Sequence, residues 1–184
     1  MESQSISLKS LDNCRLAIGF YPQFHYDATN GGGVASVSQG QKEDLLVLDF
    51  NPKTFLIPPL TWRSTKVLSV PMLPGLSINM LMDKLQGTLN KESGEILLDF
   101  EARFVFRITS IFQFPNLVVK TTLGSRQLKS KLFQVTGKPL QKNGTATLVG
   151  VSMIPKTGNF LLDRFLSLPN EALAILQCKI EYMP

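Results

Sequence analysis

The single histidine, His25, is the first residue to consider for catalysis, because imidazole readily exchanges protons near neutral pH. It lies in the segment Phe24-His25-Tyr26-Asp27. A nucleophile–histidine–carboxylate triad would have to use it, yet the sequence contains neither a GxSxG nor a CxxC motif. One histidine cannot build a multi-histidine zinc site. We therefore interpret His25 as a structural or surface residue, and predict no catalytic residue, no metal site and no cofactor.

The side chains of two carboxylates, Asp99 and Glu101, would project from the same face of an extended strand. A pair of this kind can act as a general acid and a general base. Arg103 and Arg107 share that face, however, so ion pairing across strands is the simpler interpretation. Exposed ion pairs contribute little stability individually.

The two cysteines, Cys14 and Cys178, lie near opposite ends of the chain. A disulfide would join the two ends, whereas free thiols are typical of a cytosolic protein. The first residues lack a basic stretch followed by an apolar core, and no run of 18 apolar residues occurs. We expect free thiols and a cytoplasmic location.

The chain carries a net charge of +5, which favours an acidic partner such as anionic lipid or nucleic acid. The densest basic cluster comprises Lys120, Arg126, Lys129, Lys131, Lys138 and Lys142. Phe133 is the only aromatic residue in that cluster, and no nucleic-acid-binding motif accompanies it. The sequence therefore disfavours nucleic acid as the partner.

Three apolar segments contain prolines or glycine that exclude them from central strands. Each segment either folds back on the core or meets a ligand, a partner or a membrane. A tryptophan beside an arginine after a proline pair is typical of an interface. The candidate ligand or interface residues are Trp62, Arg63, Met72, Leu73, Phe112 and Phe114.

Residues 85–108 predict the central element of the fold. The second half of this segment alternates apolar and polar residues, as does an antiparallel strand with one face on a core. The apolar face comprises Leu98, Phe100, Ala102, Phe104, Phe106 and Ile108. Before it, residues 90–94 form a turn in which Gly94 adopts a left-handed conformation at little cost. We predict a long hairpin with its three phenylalanines buried.

Further strands are predicted at residues 45–50, 117–123, 145–153 and 173–182, and a helix at residues 159–168. Residues 1–13 are expected to be flexible. Residues 28–41 are expected to form a glycine-rich loop, although residues 34–38 could be a short strand. Residues 124–144 are polar, basic and rich in turns. The fold class is mainly β. We expect an antiparallel β-sandwich or a partly open β-barrel with one short helix near the C-terminus, forming a single domain over residues 14–184.

Several strings of the sequence are distinctive in combination: LDFNPKTFLIPPLTWR, LPGLSI, GTLNKESGEILLDFEARFVF, ATLVGVSMIPKTG and FLLDRFLSLPNEALAIL. Together they resemble a family of uncharacterised β-rich proteins of cyanobacteria and plastids, over residues 45–180. The resemblance implies a soluble or thylakoid-associated protein of a photosynthetic cell, and carries over no catalytic residue.

A fainter resemblance rests on SRQLKSKLF and GTATLVGVSMIPKTG, which are similar to segments of the YceI-like lipid-binding barrels. It implies a closed barrel with an apolar interior. Gln127 departs from that pattern, because an acidic residue is expected after Arg126.

Three hypotheses for function follow. The first is a non-enzymatic protein that binds an apolar molecule, such as a lipid or pigment, or docks at a membrane surface or a membrane-protein complex, for example at the thylakoid. The second is a ligand-free protein–protein interaction module that uses the loops around Trp62 and Pro71. The third is an enzyme that acts on an apolar substrate through His25.

Overall fold

The computed structural model describes residues 5–183. Within this range the chain forms fifteen strands and one short helix. They are β1 (Ser5–Ser10), β2 (Cys14–Ile18), β3 (Phe24–Tyr26), β4 (Gly32–Gln39), β5 (Leu45–Phe50), β6 (Thr65–Val67), β7 (Val70–Pro71), β8 (Leu76–Asn90), β9 (Ile96–Ile108), β10 (Phe112–Gln113), β11 (Leu117–Gly124), β12 (Gln127–Lys129), β13 (Gln134–Thr136), β14 (Thr145–Ile154), α1 (Phe160–Phe165) and β15 (Asn170–Met183). The predicted class is confirmed.

Eight of the strands form a ring in which every neighbouring pair is antiparallel. Their order is β1-β4-β5-β8-β9-β11-β14-β15, and β15 pairs with β1 to close the ring. Of the two predicted architectures, the barrel is therefore the one that forms. Closure gives β1 a partner on each side, β15 and β4, which satisfies backbone groups that an open edge would expose.

The long strand β15 has two different neighbours along its length. Its end, from Cys178 to Met183, pairs with β1, whereas Ala172 to Ile175 pairs with β2. Beyond β2 the sheet continues through β3, β6 and β7, and a bridge between Leu60 and Ile78 connects this region to β8. The barrel thus has a packed half, closed by β1, β4 and β5, and a hollow half, closed by β2, β3, β6 and β7.

The packed half contains a dense core. Its fully buried side chains come from strands all around the ring, so the walls meet at the centre. They include Ile6, Leu8, Leu48, Phe50, Leu89, Ile96, Leu98 and Leu148. A second apolar cluster, which includes Ile78, Phe106, Ile154 and Leu162, lies in the hollow half.

The predicted central hairpin is confirmed as β8 and β9, with Gly94 in the turn at φ = 71°. Phe106 is buried as expected, but Phe100 and Phe104 are only half-buried. The prediction was wrong for these two rings because they face an internal cavity. Val105, predicted to face water, is also buried.

The outer face of this hairpin carries ion pairs across strands, as its charges predicted. Arg103 on β9 pairs with Asp83 on β8 at 2.8 Å, and Glu101 pairs with Lys120 on β11 at 3.1 Å. The acidic partner of Arg103 therefore lies on the neighbouring strand and not on its own.

The N-terminal segment was predicted to be flexible, and this was wrong for residues 5–10, which form strand β1. Residues 1–4 lie outside the described residues. Ile6 and Leu8 are buried in the packed half. The glycine-rich segment was predicted as a loop, with a short strand at residues 34–38 as the alternative. The strand forms, and as β4 it is longer than that alternative. A side chain at Gly32 would lie 2.0 Å from the carbonyl oxygen of Leu8, so glycine is required for the close approach of β4 to β1.

Residues 124–144, predicted to be rich in turns, contain the small hairpin of β12 and β13. A buried carboxylate on β15, that of Glu171, holds the tip of this hairpin. It accepts hydrogen bonds from Ser130 Oγ at 2.8 Å, from the Leu132 N–H at 2.9 Å and from the Lys131 N–H at 3.2 Å. These hydrogen bonds, and the one from the Leu132 N–H most of all, hold the pKa of Glu171 below its ordinary value.

Truncation of one side chain on each face of β9 should distinguish the buried face from the exposed face. Leu98→Ala should destabilise the protein by about 2–5 kcal/mol, because it opens a void in the packed half. Leu97→Ala, next to it on the outer face, should change stability by about 0.5 kcal/mol or less. Urea unfolding measures both; equal losses would contradict the assignment of the two faces.

The Glu171 anchor should make stability depend on pH. A lowered pKa in the folded state means that the stabilisation is present above the ordinary value of 4.5 and is lost as the pH falls through the lowered value. Glu171→Gln should therefore lower the urea midpoint at neutral pH, with a difference from wild type that shrinks in acid. Glu92→Gln, in an exposed turn, is the control. A difference that persists unchanged in acid would refute the anchor.

A candidate apolar binding site

The hollow half contains a cavity of about 590 Å³. Its walls come from the inward faces of strands on all sides of the barrel, and the side chains are almost all apolar. They include Ile18, Ile78, Phe104, Leu117, Val119 and Ala174. The half-buried state of Phe104 is thus exposure to this internal space.

The cavity lies at the level where the neighbour of β15 is β2 and not β1. From β2 the sheet continues through β3, β6 and β7, and Leu60, which precedes β6, bridges to Ile78 on β8. The opposite walls do not meet at this level, since a space of about 590 Å³ lies between them. Small wall residues such as Gly150, Ala172 and Ala174 enlarge the space further.

The few polar groups of the wall are bonded to the protein itself. The Tyr26 hydroxyl donates to the carbonyl oxygen of Pro58, and Ser10 Oγ donates to that of Ala28 at 2.8 Å. Cys14 Sγ donates to the Leu11 carbonyl at 3.3 Å. Burial raises the pKa of Tyr26 and that of Cys14, so both stay protonated at neutral pH.

Two further hydroxyls close a seam between β11 and β14. These strands pair in register only at Gly124 and Val149. Beyond that point Thr121 Oγ1 donates to the Val151 carbonyl and Ser152 Oγ donates to the Lys120 carbonyl, each at 2.8 Å. Side chains thus replace ladder bonds, and the hydroxyl protons point to the backbone and not to the cavity.

The cavity opens at one end of the barrel. Tyr21, Val70, Leu73 and Phe165 both line it and are exposed. The Tyr21 hydroxyl donates to the carbonyl oxygen of Phe165, and the two ring centroids lie 6.1 Å apart. This contact ties helix α1 to the turn between β2 and β3 at the opening.

The helix is shorter than the predicted residues 159–168. Asn159 caps it as expected and accepts from the Leu162 N–H at 3.0 Å. Leu162 and Leu166 are buried, but Leu161 and Phe165, predicted to share their apolar stripe, are exposed. The helix is therefore apolar on its outer side as well.

Beside the opening lies a surface groove with two arginines, which we call the arginine groove. It is lined by Trp62, Arg63, Arg107 and Phe112, and Leu76 separates it from the cavity. The Arg63 guanidinium lies 5.0 Å from the Trp62 ring centroid, within the range of a cation–π contact. Arg107 Nε donates to Gln113 Oε1 at 3.3 Å.

The structure divides the six candidate residues between these features. Trp62, Arg63 and Phe112 lie in the arginine groove, and Met72 and Leu73 lie at the cavity opening. The remaining one, Phe114, folds back: it packs against the hollow-half cluster, and its N–H donates to the Phe106 carbonyl at 3.0 Å.

His25 lies on the outside of the barrel. It is exposed on β3, in register with Arg15 on β2 and Lys66 on β6. Its side chain is not part of the cavity wall. Among residues 5–183, no group of three or more His, Cys, Asp or Glu side chains is placed to hold a metal ion.

The sequence did not identify several residues of the opening and wall, notably Tyr21, Tyr26, Val119 and Phe165. Their apolar character was visible, but it is the same signal that a filled core produces. These residues line a cavity only because the opposite walls of the hollow half do not meet.

Within residues 5–183, no helix has the length and apolar composition needed to cross a membrane. Comparison of the chain with protein-family models, curated proteins and solved structures finds no match. The resemblances noted in the sequence therefore stay predictions.

Both cysteines are free and buried, and the pKa of Cys178 is raised by burial to about 12. Because the thiolate is the reactive form, both thiols should react slowly with dithionitrobenzoate in the native protein and rapidly after unfolding. Cys14→Ser and Cys178→Ser variants assign the two signals. Rapid reaction of either thiol in the folded protein would contradict its buried environment.

Proposed function

We propose that this protein binds an apolar molecule in the cavity of the hollow half and acts as a non-enzymatic binding protein. The observation that carries the proposal is a space of about 590 Å³ whose walls are apolar and whose hydroxyl groups already have acceptors. The size falls in the range of about 300–1,000 Å³ that is typical of small-molecule sites.

The wall chemistry selects the class of ligand. A polar group carried into the cavity would lose its hydrogen bonds to water and find few donors in exchange, which costs free energy. A hydrocarbon chain or an isoprenoid incurs no such cost. Each Å² of apolar surface removed from water contributes roughly 25 cal/mol. Lipid-like or pigment-like molecules therefore fit best, with any polar group at the opening.

The second hypothesis, a ligand-free interaction module, draws support from the arginine groove, where Trp62 and Phe112 are exposed. The enzyme hypothesis gains no support from His25, because the cavity wall does not include it. Attachment to a thylakoid membrane or to a membrane-protein complex remains part of the proposal as an expectation from the resemblance.

A matched pair of substitutions on β11 tests the cavity. Val119→Phe places a ring in the cavity, whereas Val118→Phe places the same ring on the outer face of the same strand. With cis-parinaric acid as a fluorescent probe, Val119→Phe should weaken binding at least about tenfold, or 1.4 kcal/mol. Val118→Phe should bind as wild type does.

Urea unfolding of both variants checks that each one is folded, and Ala174→Phe provides a second way to fill the cavity. If the wild-type protein does not bind the probe, or if folded Val119→Phe and Ala174→Phe both bind it as wild type does, the proposal is wrong. If the proposal holds, mass spectrometry of molecules that copurify with the native protein would identify the natural ligand.

A further inference from the structure

The strand register places five loops at the open end of the barrel. β14 ends at Ile154 opposite Asn170, where β15 begins, and β2 ends at Ile18 opposite Ala172. The turns after β2 and β6 and the loops after β7, β9 and β14 therefore lie together. The opposite end carries the turns at residues 40–44, 91–95 and 141–144.

Each loop at the open end carries a large apolar side chain in solvent. We call these side chains the rim: Phe20, Leu68, Leu73, Ile111, Phe112, Phe160 and Leu161. Phe20 is 88% exposed, Ile111 79% and Leu68 75%, so they protrude and do not cover the core. The turns at the opposite end contain only glycine and polar or charged residues. Contiguous exposed apolar surface of this kind marks an interaction site.

The charges around the rim have one predominant sign. Arg63, Lys66, Arg107, Lys156 and Arg164 lie in or next to the five loops. The five loops contain one acidic residue, Asp163. Its carboxylate is held by its own loop, since it accepts from Thr157 Oγ1 at 2.6 Å and from the Thr157 N–H at 2.7 Å.

We propose that the rim docks on a bilayer that contains anionic phospholipid. The apolar tips enter the interface between head groups and acyl chains, and Arg63 and Arg107 contact phosphate groups from the arginine groove. This inference rests on the proposed function, because docking brings the open end of the cavity against the acyl chains from which an apolar ligand would enter.

Charge complementarity favours a bilayer over a second copy of the chain as the occupant. Two rims placed face to face would bring cations of the same sign together, which is destabilising. An anionic surface attracts them, and each Lys or Arg near such a surface adds about 1 kcal/mol. The spread of the tips over separate loops also suits a broad surface better than a narrow groove.

Co-sedimentation with vesicles tests the docking, using phosphatidylcholine alone or with about one third phosphatidylglycerol. Wild type should bind the anionic vesicles more tightly, and added salt should weaken this binding. Leu68→Asp/Leu161→Asp changes two rim residues that do not line the cavity, and should abolish binding. Val34→Asp/Val47→Asp, at exposed positions on β4 and β5, should bind as wild type does.

The charges are tested by a second matched pair. Arg63→Gln/Arg107→Gln should weaken binding to anionic vesicles by about 30-fold, or about fivefold for each arginine. Lys42→Gln/Lys91→Gln removes two cations from the opposite end and should cause a loss of about twofold or less.

Two results would overturn the docking. One is that wild type does not bind anionic vesicles. The other is that a test variant and its matched control lose vesicle binding equally. Sedimentation velocity adds a third result. If wild type is a dimer that does not bind vesicles, and Leu68→Asp/Leu161→Asp is a monomer, the rim serves self-association. Binding of cis-parinaric acid in solution separates this inference from the proposed function. If wild type and the rim variant both bind the probe but wild type does not bind vesicles, only the docking fails.

Discussion

The change of partner along β15 is the constraint on which the rest of the structure depends. One continuous strand pairs with β1 near its end and with β2 near its beginning. The eight-stranded ring therefore closes at one level, whereas at the other level the sheet extends from β15 through β2, β3, β6 and β7. Side chains fill the first level, and the second level encloses the cavity. A stable core and a ligand-sized space thus arise in one domain without a boundary between them.

Hydrogen bonding decides what the space can hold. A barrel wall with incomplete pairing would expose carbonyl groups to the cavity. At the seam of β11 and β14 the hydroxyls of Thr121 and Ser152 bond to those carbonyls instead. The wall gains its closure from the same side chains that would otherwise offer polar contacts to a ligand. Structural closure and an apolar interior are therefore consequences of the same bonds.

The two ends of the barrel differ in a way that links the cavity to its surroundings. Polar turns cap the packed half, while apolar tips surround the opening of the hollow half. An apolar molecule that leaves water gains free energy in the cavity and also in a bilayer. Under the proposed function, the protein would pass such a molecule between the two, and the apolar rim would shorten its path through water.

The sequence by itself determined the strand content, the β8–β9 hairpin and the N-cap of α1, because alternation, turn chemistry and capping are local properties. It also placed Met72 and Leu73 outside the central strands, through the backbone limits of proline. The sequence left residues 34–38 open as a loop or a short strand. Tertiary structure decided that the strand forms and begins at Gly32, and that residues 5–10 complete the barrel, since both depend on contact with distant backbone. It also decided that Phe104 and Val119 face a cavity. An apolar side chain has the same pattern whether the opposite wall is near or far, and that distance depends on how strands from distant parts of the chain pair around the barrel.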